Sequence, residues 1–202
     1  MSLVSVATLK NYLPEYTGTA SDTELGNLLD RVESDVARFL GFPIYDSGTT
    51  PVLTAQTYTL HIDEPMYTNH MVLQLPIRPL ISVSSIHSDA DREYGADTEI
   101  TAAEYIIDKQ LARIILKFNV STEGFVTAFR GNKVVVSAGY ATAPADLEHA
   151  ICVFASQLHR QKSNQGKDSQ GQRDATTRFS KKTMPHEVKE ILYPLRSSAM
   201  VM

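Results

Sequence analysis

The chain has 202 residues, 43% hydrophobic and 21% charged, enough apolar material for one normally cored domain with appendages. Its net charge is -4 and Cys152 is its single cysteine, which excludes an intrachain disulfide and a multi-cysteine metal site and points to a reducing compartment. The opening MSLVSVATLKNYL lacks a basic lead, and no stretch nears the roughly 20 apolar residues that cross a bilayer, so neither secretion nor membrane insertion is expected.

Residues 5–13 read as a short helix, with Leu9 and Leu13 four apart and Pro14 closing it. The clearest helix covers 21–40. Ser21 and Glu24 have capping-box spacing, and Leu25, Leu28, Leu29, Val32, Val36, Phe39 and Leu40 share one face. Gly41 and Pro43 should stop it.

From residue 43 to 140 the period changes to that of strands. The β-rich runs are Thr57 to Ile62, Met71 to Leu75, Ile81 to His87, Tyr105 to Ile107, Arg113 to Leu116 and Lys133 to Ser137. Within this region SDADREYGADTE reads as a loop. Its Asp89, Asp91, Glu93, Asp97 and Glu99 are spaced somewhat like a calcium loop. However, Gly95 falls one position late and Ile100 stands where the last glutamate belongs, so a solvated connection is the better reading.

A second strong helix is expected over 144–162. Pro144 sits in its first turn, Asp146 complements the dipole, and Leu147, Ile151, Phe154 and Leu158 lie on one face, where it should pair with the helix at 21–40. A polar arm, 161–183, follows. From residue 160 to 182, Arg160, Lys162, Lys167, Arg173, Arg178, Lys181 and Lys182 face only Asp168 and Asp174. The net of +5 leaves -9 on the rest of the chain. Such an arm either lies on an acidic surface, including a neighbour's, or is a solvated flexible loop. The last segment, 184–202, opens with a short helix from Pro185 carrying Val188, Ile191, Leu192 and Leu195. At about three turns it needs a groove on its own body or on a partner.

Catalytic and cofactor signals are weak. The six histidines show no HExxH pair, and neither a GxSxG elbow, a GxGxxG run nor a phosphate loop occurs, because Gly166-Lys167 is followed by Asp168. Cys152 lies in an apolar helix and reads as a structural thiol. No cofactor is expected. The arm offers Phe179 as its one aromatic, so sequence-specific nucleic-acid recognition is not indicated, whereas an acidic body suits a passage through which DNA slides without sticking.

Three segments together resemble the head-tail connector, or adaptor, proteins of long-tailed double-stranded DNA bacteriophages. They are LKNYL with SDTELGNLLDRVESDVARFLGFP, then VVVSAGYATAPADLEHAICVFASQLHR, and the terminal PHEVKEILYPLR. The resemblance implies a non-enzymatic virion subunit at the head-tail junction, made in the host bacterial cytoplasm. It would form a ring of about twelve copies beneath the portal, extend the channel for non-specific passage of double-stranded DNA, and support a stopper or tail-completion protein. It further implies a connector body over 1–160, and portal docking by Pro185, Val188, Ile191, Leu192, Leu195 and Arg196, delivered by the arm and ordered on contact. The expected fold is α+β, a small helical bundle with an inserted β region and an extended C-terminal arm ending in a short helix. The β region is longer than in compact helical members. A stopper or tail-terminator ring protein is the nearest alternative, and a small soluble α+β enzyme or ligand-binding domain a more distant one. A DNA-binding regulator would need a basic helix face, whereas the helix at 21–40 carries five acidic residues against Arg31 and Arg38.

Overall fold

A computed structural model describes residues 2–43, 50–63, 65, 70–117, 124–162, 169–172, 175–178 and 184–196. The fold is α+β and divides into two compact units, one holding residues 1–36 and 142–195 and the other 37–141 and 196–202.

The first unit is helical. Helix α1 (Val6–Lys10) starts at Ser5, whose hydroxyl accepts the Thr8 N–H, and it is shorter than the expected 5–13 because Asn11 already caps its end. Helix α2 spans Asp22–Leu40 and α3 spans Ala145–Arg160. Pro144 stands at the N-cap of α3, just before the first turn in which it was expected. Helix α4 (His186–Leu192) continues into a 3-10 turn at Tyr193–Leu195. Helix α3 packs against α1 and α4. The core they share contains Leu9, Leu13, Leu25, Leu29, Val32, Leu147, Ile151, Phe154, Val188 and Leu192, all buried. This arrangement follows from the apolar stripes, since helices this short hold only by burying one face against another.

The expected polar arm contains structure that the sequence did not announce. Strands β7 (Ser169–Gln172) and β8 (Ala175–Arg178) pair antiparallel as a two-stranded ribbon, with Ser169 opposite Arg178.

In the second unit α2 ends as predicted. Gly41 adopts φ 85°, its N–H bonds the Arg38 carbonyl at 3.1 Å, and the Phe42 N–H bonds the Ala37 carbonyl at 2.9 Å, the pair of bonds that closes a Schellman cap. Two three-stranded antiparallel sheets follow. One has β6 (Asn132–Ala138) between β1 (Gln56–Ile62) and β3 (Leu80–Ser88). The other has β5 (Arg113–Leu116) between β2 (Val72–Gln74) and β4 (Tyr105–Asp108). All six runs expected to be strands are strands. In β6 alternate residues Asn132, Val134, Val136 and Ala138 are buried, so one face of the central strand is core. The loop after β3 is closed by Asp89, whose carboxylate accepts the backbone N–H groups of Asp91, Glu93 and Tyr94 at 2.8–2.9 Å. Those bonds, Tyr94 first, hold its carboxyl below the usual aspartate range. The carboxylate that would head a calcium loop is therefore committed to its own backbone.

Candidate assembly site

In the helical unit α2 and α3 face each other across a groove of about 700 Å³. Leu28, Phe154 and Leu158 contribute its apolar lining, and Thr23, Asn27, Arg31 and Asp35 are among its polar residues. Leu28 belongs to the expected apolar face of α2, yet it is only half-buried because it lines this groove.

Two charged residues at the groove, Glu24 and Lys162, are paired. Lys162 Nζ donates to Glu24 Oε1; that bond, followed by their mutual attraction, lowers the glutamate's pKa and raises the lysine's. With both side chains more than half exposed, the pair adds little to stability. It does position Lys162, the first of the arm's lysines, on the acidic flank of its own α2. Along α3, Tyr12 Oη lies 2.9 Å from His149 Nδ1, and Tyr16 Oη lies 2.7 Å from Nε2 of His159, which itself lines the groove. These two histidines, ten residues apart and without metal spacing, serve as hydrogen-bond partners that tie the N-terminal segment to α3. Burial pushes the Cys152 thiol up to about 12, with Glu148 and Glu33 adding to the shift, which disfavours the thiolate.

The residues expected to dock on a portal are split. Val188 and Leu192 are fully buried within this chain, so the groove that α4 was expected to need lies on its own body. Their burial therefore does not wait for a partner, which corrects the expectation that all four apolar residues become buried only on docking. Pro185, Ile191 and Leu195 are half-buried and Arg196 is exposed; Tyr193, which was not singled out, is 67% exposed. The Arg196 guanidinium stands 5.5 Å from the centre of the Phe39 ring.

The basic residues are similarly dispersed. Arg160 donates to the Tyr12 carbonyl at 3.2 Å, Lys162 pairs with Glu24, and Arg178 lies in β8. Lys167, Arg173, Lys181 and Lys182 lie outside the described residues.

Two features carried no sequence signal. Glu33 is buried and accepts from Ser2, Leu3 and Val4, a role that a charged residue within a helix does not advertise. Phe129, 69% exposed, sits in a turn whose neighbours determine its presentation. Only its position among polar residues could have suggested it.

The chain belongs to the head completion protein family, whose model matches residues 2–198, and is thus a structural bacteriophage protein. This agrees with the head-tail connector resemblance of its three segments. No curated protein matches the chain closely enough to add a relative by sequence. Among solved structures the fold is similar to a chain in the neck of an empty GTA particle, computed with C6 symmetry. The TM-score is 0.57 and the identity 19%, over 96% of this chain and 90% of that one. It is similar also to a chain in the neck of a native GTA particle, computed with C12 symmetry. There the TM-score is 0.57 and the identity 17%, over 95% of this chain and 87% of the other.

Proposed function

We propose that this chain forms a closed ring of about twelve copies under the portal vertex, joins the DNA-filled head to the tail and extends the DNA channel. The observation that carries the reading is the likeness of nearly the whole fold, 96% of this chain, to neck chains of particles with rotational symmetry. The head completion family supports the same place, the head-tail junction of the virion.

Portal protein on one side and a stopper or tail-completion protein on the other are the proposed partners. The terminal segment meets the portal. With Val188 and Leu192 holding α4 to α3, its contacts come from Pro185, Ile191, Tyr193, Leu195 and Arg196. Outside residues 160–182 the chain carries -9, and a negative channel lining repels the phosphate backbone and lets double-stranded DNA pass without adhering. Synthesis in the host bacterial cytoplasm precedes assembly in this scheme.

Mass photometry of the purified full chain, alone and mixed with the portal ring encoded in the same genome, tests the reading. A discrete added mass equal to a closed ring supports it, and no added mass over a wide concentration range overturns it.

A further inference from the structure

The turn at residues 126–132 is held from several directions. Asp63 Oδ1 accepts the Arg130 N–H at 2.8 Å and the Asp63 carbonyl accepts the Ala128 N–H at 3.2 Å. The Tyr94 hydroxyl donates to the Arg130 carbonyl. At the base, buried Asn132 donates to the carbonyls of Val126 (2.8 Å) and Ile62 (3.2 Å), while Ser88 Oγ accepts the Val126 N–H at 2.9 Å. Arg130 takes φ 56°, and a Cβ at Gly131 would come within 2.6 Å of Val126 Cγ2. The side chain presented by this pinned backbone is Phe129, the most exposed large hydrophobic residue among those described.

An exposed phenyl gains nothing from such pinning inside its own chain. Holding it in place lowers the ordering cost of entering a pocket elsewhere. A closed ring of identical copies uses a head-to-tail contact, so each copy must carry both a projecting patch and the recess that receives it. This chain carries both, Phe129 and the groove between α2 and α3 lined by Leu28, Phe154 and Leu158.

We propose that Phe129 of one copy seats in the α2–α3 groove of the next copy and that this contact closes the ring. The inference rests on the ring reading above. Arg130 beside Phe129 would then approach a groove lined by Glu24 and Asp35 but also by Arg31 and Lys162, so the aromatic ring and not charge selects the contact. DNA is a poor occupant by comparison, since a duplex backbone is gripped by cations and a single phenyl offers it little.

The chain has no tryptophan and its one cysteine is fully buried, so both probes read cleanly on the full-length protein. Copies bearing Phe129→Cys, mixed with copies bearing Asn27→Cys on the groove rim, should form disulfide-linked dimers only when assembled on the portal ring. Phe129→Ala should raise the concentration needed for assembly about tenfold or more, with unchanged melting temperature. Phe129→Trp should assemble normally with blue-shifted emission. Rings that form from Phe129→Ala at the wild-type concentration, or Phe129→Cys linking to a portal cysteine instead of to Asn27→Cys, overturn the contact while the ring reading stands. Failure of the wild-type chain to form any ring removes the ring reading and the contact with it.

Discussion

The Glu33 carboxylate accepts the Val4 backbone N–H at 2.8 Å and the Leu3 N–H at 2.9 Å, and the Ser2 hydroxyl donates to it at 2.6 Å, so one acid in the middle of α2 fastens the chain's first residues to the helical unit. Glu33→Ala leaves buried donors without an acceptor and should cost about 2–3 kcal/mol. For a chain of this size that is a fall of roughly 4–12 °C in melting temperature, and Glu33→Gln, which keeps one acceptor oxygen, should lose less. Paired thermal melts followed by circular dichroism check the order.

Helix α4 is seated by Val188 and Leu192. Leu192→Ala should destabilise by about 2–5 kcal/mol if the whole unit responds, since the cavity is fully buried. Hydrogen exchange localises the effect: amides of His186–Leu192 should lose protection first, with the β unit unaffected.

The exposed terminal residues should show the opposite behaviour. Tyr193→Ala and Arg196→Glu are expected to leave the unfolding free energy within about 1 kcal/mol of wild type and yet weaken portal binding severalfold. Titration of each variant against the portal ring by mass photometry is the check; unchanged affinity would move the docking surface elsewhere.

Asp89 predicts a pH dependence. Its folded pKa lies below its unfolded value of about 3.9, so its stabilising contribution is complete above that value and disappears as pH falls through the folded one. Urea unfolding of wild type and Asp89→Ala should therefore differ by a constant amount from about pH 5 to 7 and by progressively less as pH falls below about 4.

At Gly139, φ is 112° and an added Cβ would stand 2.7 Å from the Thr54 carbonyl oxygen. Gly139→Ala combines a disfavoured backbone with a backbone clash and should cost about 2–4 kcal/mol, seen as a lower urea midpoint with an unchanged slope.

The sequence by itself determined the elements whose stabilisation is local and periodic. The apolar stripe of α2, its stop at Gly41, the stripe of α3 and the six β-rich runs are each legible because side-chain spacing of 3.6 or 2 states which face is buried. The three motif segments likewise sufficed for the family. The β7–β8 ribbon was not legible: SQGQ and ATTR pair through backbone and carry no apolar alternation. Nor could periodicity decide whether Val188 and Leu192 meet the chain's own α3 or a partner, because a stripe specifies burial and not the surface that supplies it. The commitment of Glu33 to residues about thirty positions earlier and the presentation of Phe129 by Asp63, Tyr94, Ser88 and Asn132 belong to tertiary structure alone. Each depends on hydrogen bonds between groups distant in sequence, whose partners exist only once the chain has closed around them.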